Sequence, residues 1–173
     1  MKAVWYVRNG AARDVLEYGE LSDPEPGIGE VRVKLHASGI NPSDVKFRLR
    51  RPLDFEQIVP HSDGAGTIDY VGPGVGSHRV GQRVWVWNAQ WRRPWGTACE
   101  YVVLPEAQAV PLPDAMSFEQ GACLGIPALT AVQSIRLAGS LAGKTVLVMM
   151  PSRRAHFRLS ITSKPQLGRA CLS

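Results

Sequence analysis

The chain has 173 residues, 45% of them hydrophobic and 20% charged, ordinary proportions for a globular protein that exclude a disordered, collagen-like or coiled-coil chain. It contains no run of about 18 apolar residues, which excludes a membrane-spanning helix. The net charge of +5 is local: Arg153, Arg154, Arg158, Lys164 and Arg169 carry it without a single acid in 151–173, while the basic and acidic residues of 1–150 balance. The sequence pI near 9.4 is thus the mark of a tail, and a nucleic-acid partner is not expected.

Lys2–Val7 reads as a first strand. With Arg8, Asn9 and Gly10 where a signal peptide would hold its apolar core, a cytoplasmic location is expected. Asp23-Pro24-Glu25-Pro26-Gly27 is a turn signal. Glu30–Ser38 alternates, with Val31, Val33, Leu35 and Ala37 on one face and Arg32, Lys34 and His36 on the other, the pattern of a half-buried strand. Asn41-Pro42-Ser43-Asp44 reads as a helix cap, in which a polar side chain accepts backbone N–H groups and proline opens the first turn. Gly64–Val71 is a strand whose two glycines predict a bend or bulge. Val71-Gly72-Pro73-Gly74-Val75-Gly76 is a tight turn between strands; a phosphate-binding reading would need a helix to follow it. Gly81–Asn88 and Thr97–Leu104 are further strands, and 105–113 leads out of the last of them. Short strands at this spacing predict a small barrel or sandwich.

The pattern then changes. Ser117 and Gln120 stand in capping-box positions and open a helix. Gly125-Ile126-Pro127 interrupts it, Ala128–Ala138 reads as a second helix, and Gly139–Gly143 is a loop. Lys144–Met150 is an apolar run of the kind found in buried parallel strands. A glycine-rich turn should follow if this strand opened a dinucleotide site, but the next residues are Pro151-Ser152-Arg153-Arg154. Cys99, Cys123 and Cys171 are widely spaced and odd in number, so neither a disulfide framework nor a zinc ribbon is expected. His61 and Asp63 could form an acid/base pair, although a half-exposed loop histidine is the commoner arrangement. Trp85, Trp87, Trp91 and Trp95 with Arg92 and Arg93 fit an edge strand and loop with partly buried aromatics better than a base-stacking surface.

Five segments occur together in order: Ala37–Asp44, Ser62–Gly66, Val71–Val75, Val80–Trp85 and Gly121–Ala131. In them residues 1–150 resemble the medium-chain dehydrogenase/reductase superfamily, in its zinc-free quinone oxidoreductase (zeta-crystallin-like) branch. The resemblance implies a mainly β (α+β) chain. It would comprise a GroES-like β-barrel domain over 1–116, helices and the first strand of an incomplete Rossmann domain over 117–150, and an atypical basic tail over 151–173. It implies an NADPH-dependent reductase acting on quinones or other small electrophilic carbonyl compounds, often as a homodimer. Asn41, Ser43, Asp44 and Thr130 match positions that meet the cofactor, and no catalytic residue is assigned. Zinc-dependent members place Cys where Asn41 stands and His where Ser62 stands, and Asn with Ser is not a usual zinc pair, so no metal is expected.

The loss of acid, glycine and periodicity after Met150 leads us to expect a gene truncation or a change of reading frame there. NADPH binding by this chain is accordingly expected to be weak or absent. The alternatives are a non-catalytic binding module whose basic tail meets an acidic partner or nucleic acid, and a second chain that completes the Rossmann domain.

Overall fold

The computed structural model of the chain describes residues 1–146. The chain divides into two compact units, 1–130 and 131–173. The basic tail and the end of the expected strand, Leu147–Met150, lie outside the described residues. Lys144, Thr145 and Val146, at the start of that expected strand, carry no strand pairing among the described residues.

In the first unit, β1 (Lys2–Trp5) pairs antiparallel with β2 (Glu17–Glu20), and the single helical turn α1 (Ala12–Val15) lies between them. A five-stranded antiparallel sheet holds β3 (Glu30–Gly39), β4 (Asp63–Val71), β5 (Arg83–Val86), β6 (Tyr101–Pro105) and β7 (Ala109–Pro111), in the order β6-β3-β4-β5-β7. Its curl makes it a half-barrel, the architecture implied by the run of short strands. Val31 and Val33 of β3 are fully buried and Lys34 and His36 are exposed, so the alternation of that strand is realised. These two valines pack with Ile68, Val84, Val102 and Leu104 into the main core. Each such side chain contributes about 1.5–3 kcal/mol relative to exposure.

Gly66, where β4 was expected to bend, sits beside the register shift between Leu35 and Ala37. The Gly72–Val75 turn is a tight one, with Gly74 at φ +86° and the Val75 N–H donating to the Gly72 carbonyl at 3.2 Å. A β-carbon on Gly72 would lie 1.9 Å from the Gly27 carbonyl oxygen. The Gly29 N–H donates to the Pro73 carbonyl at 2.8 Å, so the 27–30 and 72–75 turns are buttoned together, back to front.

β1, β5 and β6 are shorter than the sequence pattern implied, while β3 and β4 each run one residue longer. The first ends at Trp5, and Tyr6 makes only an isolated bridge to Ile58. The segment leading out of β6 holds a further strand, β7, which pairs Ala109–Pro111 with Val84–Val86. β2 and α1 were likewise not expected. All three are four residues long or less, too short to carry a period of their own.

The helices begin where their caps predict. α2 (Pro42–Arg50) opens at Asn41, with proline in its first turn. α3 (Phe118–Gly121) opens at Ser117, where the Gln120 N–H donates to the Ser117 hydroxyl at 3.2 Å and the Ser117 N–H donates to the side-chain Oε1 of Gln120 at 2.9 Å. Ser117→Ala removes one of these bonds and is expected to cost about 1 kcal/mol, read from a urea unfolding curve. Beyond α3, Leu124–Ala128 forms one wide helical turn broken at Gly125, and α4 (Leu129–Ala138) follows.

Candidate active site

The end of β3, the start of α2 and the start of β4 meet at one point. β3 pairs Gly39 with Asp63 of β4, and two residues after Gly39 the chain turns into α2 at Asn41. The Asn41 backbone is extended there, with φ −115° and ψ 155°. Its N–H donates to Asp44 Oδ2 at 2.6 Å, and the Asp44 N–H donates back to the Asn41 carbonyl at 3.0 Å. The cap was therefore legible, but the Asn41 amide does something further: its Nδ2 donates to Asp63 Oδ2 at 2.8 Å.

The same oxygen of Asp63 accepts a second bond, from the Ile126 backbone N–H at 2.8 Å. Gly125 makes this approach attainable. Its ψ of −110° departs from the helix, and a β-carbon there would lie 2.1 Å from Asp63 Oδ1. The Gly-Ile-Pro interruption thus delivers a backbone donor to a buried carboxylate. The Asp63 carbonyl accepts from the Thr97 hydroxyl at 2.6 Å. One residue therefore ties together β3–α2, β4, the chain before β6 and the chain after α3.

The electrostatics follow from burial. Asn41, Asp44 and Asp63 are all buried, Asp63 completely. Burial pushes the Asp44 carboxyl up to about 6; the Asn41 N–H pulls it down, and the nearby Asp63 charge raises it further. Burial also raises Asp63, against the downward pull of the bonds from Asn41 and Ile126. No lysine or arginine forms an ion pair with either acid among the described residues, so amide donors alone stabilise the charge.

Of the residues singled out in the sequence, Asn41, Ser43 and Asp44 share this one turn. The Ser43 hydroxyl is buried and has no hydrogen-bond partner among the described residues. Thr130 lies on a different element, the exposed first turn of α4, and makes a polar contact of its own. His61 and Asp63 do not form the acid/base pair considered above. His61 Nδ1 lies 2.9 Å from the Ser38 hydroxyl, and both Asp63 oxygens face elsewhere. Sequence reasoning missed Asp63 as the hub and missed the Ile126 N–H. Burial pushes the Cys99 thiol up to about 12, away from the thiolate form that a reactive cysteine uses.

Among the described residues no three His, Cys, Asp or Glu side chains come together in a metal-holding group. The slot bordered by Tyr6, Phe47, Arg51, Leu53, Phe55 and Ile58 holds about 10 Å³, room for one water.

Residues 27–114 match the alcohol dehydrogenase GroES-like domain family. Among curated proteins, the rat quinone oxidoreductase is 32% identical over 153 residues, which are 86% of this chain and 45% of that protein. Among solved structures, the quinone oxidoreductase from Coxiella burnetii superposes with a TM-score of 0.75 at 25% identity, covering 83% of this chain and 46% of that one. A mycobacterial protein complexed with NADPH gives 0.71 at 29% identity, covering 82% of this chain and 42% of that one. The chain spans less than half the length of each of these relatives.

Proposed function

Because the chain belongs to the quinone oxidoreductase branch of the medium-chain dehydrogenase/reductase superfamily, through its alcohol dehydrogenase GroES-like domain, we propose that it supplies the acceptor-facing part of an NADPH-dependent reductase. The reaction is hydride transfer to a quinone or another small electrophilic carbonyl compound, without zinc. NADPH, when bound, provides the hydride. The chain's residues hold and orient the reacting groups, which is where much of the rate of such a step originates.

The observation that carries this reading is the Asn41 turn, fixed by Asp44 and by Asp63, with one buried hydroxyl that lacks a partner among the described residues. Asn41 is fixed by its amide on Asp63, and Asp44 fixes its backbone. Ser43 contributes that hydroxyl. Thr130 contributes from the first turn of α4. On this reading 1–116 is the acceptor-facing domain and 117–150 begins the dinucleotide-binding one, and a homodimer is the expected assembly.

In the 173-residue sequence no glycine-rich turn follows the Lys144–Met150 run, where the element that would grip the cofactor pyrophosphate is expected. The chain by itself is therefore expected to bind NADPH weakly. Titration of the full chain followed by NADPH fluorescence should show no saturation in the micromolar range. Saturable micromolar binding would overturn the weak-binding expectation and give direct support to cofactor contact at the turn. With such binding, loss of affinity in Ser43→Ala would place the cofactor beside that hydroxyl.

A further inference from the structure

Next to the Asn41–Asp63 cluster runs a second set of polar contacts that the reductase reading does not use. His61 Nδ1 lies 2.9 Å from Ser38 Oγ, Ser38 Oγ lies 2.8 Å from Thr97 Oγ1, and Thr97 Oγ1 donates to the Asp63 carbonyl at 2.6 Å. The last contact fixes the direction of the other two. A carbonyl oxygen only accepts, so the single Thr97 hydroxyl proton points at Asp63. Thr97 Oγ1 must then accept from Ser38, whose single proton is spent in turn. Ser38 Oγ can therefore only accept from the ring, so the proton sits on His61 Nδ1. Nε2 has no hydrogen-bond partner among the described residues.

We propose that His61 is a built proton-exchange site, in which a one-way chain of hydroxyls keeps Nδ1 protonated and leaves Nε2 as the atom that takes up and releases a proton. Nothing in the chain has to turn when that happens, because Nδ1 donates to Ser38 in both the neutral and the cationic ring. The backbone holds the ring's position. His61 adopts a left-handed φ of 78°, and its carbonyl accepts from the Thr97 N–H at 3.0 Å. The two hydroxyls of the chain are uncharged: Ser38, which meets the ring, comes from β3, and Thr97, which meets Ser38, comes from the chain before β6. No ion pair includes His61 among the described residues. The acids nearest in the network, Asp63 and Asp44, are turned to Asn41 and Ile126. Burial favours the neutral ring and lowers its pKa, so Nε2 is bare at neutral pH. The chemistry that suits such an atom is that of a base, or of a hydrogen-bond acceptor for a ligand hydroxyl or protonated nitrogen.

This inference does not rest on the hydride-transfer reading, because it concerns only where one proton sits. The test is the nitrogen-15 imidazole spectrum of the full, isotope-labelled chain across a pH titration. For His61 we expect Nδ1 to remain protonated at every pH, with the Nε2 resonance carrying the large shift and the Nδ1 resonance only a small one. In Thr97→Val the Ser38 proton loses its acceptor and turns onto Nδ1, so the neutral ring should switch to the Nε2–H form. Thr97→Ser keeps the hydroxyl and should keep the wild-type spectrum. If Thr97→Val does not fold, Ser38→Ala, an exposed substitution, serves in its place and should also release the ring to the Nε2–H form. A wild-type ring protonated on Nε2 at high pH would overturn the proposal. So would a folded Thr97→Val or Ser38→Ala protein that keeps the wild-type form.

Discussion

Replacement of Asp63 by alanine is expected to lower the unfolding free energy by about 3 kcal/mol, read from urea denaturation. Two donors lose their acceptor at once, the Asn41 amide and the Ile126 N–H, each 2.8 Å from the same oxygen. An unmet buried donor costs about 1–3 kcal/mol. Part of the sum is offset, because the variant no longer buries a carboxylate that lacks a cationic partner. Asp63→Asn separates the two contributions. An asparagine carbonyl can accept both bonds, but its NH2 takes the place of Oδ1, which is buried and has no partner among the described residues, so this variant should lose less than the alanine one without matching wild type. An alanine variant within about 0.5 kcal/mol of wild type, the usual scatter of surface substitutions, would show that Asp63 does not hold these segments together.

The second large effect is on pH dependence. Burial raises the Asp44 carboxyl from its ordinary 3.8 to about 6 in the folded protein. A raised carboxyl favours the folded state when it is protonated. Its contribution is therefore fully present below its unfolded pKa and is lost as pH rises through about 6. Two units of pKa correspond to about 3 kcal/mol. Asp44→Asn cannot ionise and keeps an oxygen for the Asn41 N–H. The difference in stability between the variant and wild type should thus shift by about 3 kcal/mol between about pH 4 and about pH 8, in favour of the variant at the higher pH. Taking the difference cancels the opposing titration of His61, whose lowered pKa destabilises the fold as pH falls. A difference that stays flat across this range would mean that the Asp44 carboxyl titrates as if in water.

What could be read from the sequence was local. Asn41 and Ser117 announce their helices because a cap is a matter of three or four adjacent residues. Val31 and Val33 announce the buried face of β3 because strand period is short. Gly125-Ile126-Pro127 announces a break in the helix by backbone chemistry alone. What could not be read depends on distant partners. β7 exists because Val84–Val86 offers it an edge, and three residues carry no periodicity of their own. Asp63 becomes a hub only when folding brings it to an amide 22 residues before it and a backbone N–H 63 residues after it. Its position, at the head of a strand whose next residues are Gly64, Ala65 and Gly66, did mark a place where chains approach closely. The chemical type of its partners was not encoded there. The direction of the Ser38–Thr97 hydroxyl chain was hidden for the same reason, since it is set by a carbonyl that only the folded sheet presents.

The buttoned turns at 27–30 and 72–75 bear on how this family can vary in length. Loop tips are where proteins usually accept inserted residues. Here the tip at Gly72 sits within contact of the Gly27 carbonyl, and the Pro73 carbonyl is taken by the Gly29 N–H. An insertion in either turn would have to be matched by one in the other. The two should therefore lengthen or shorten as a pair, and tags or peptide grafts should find no room at this otherwise inviting end of the sheet.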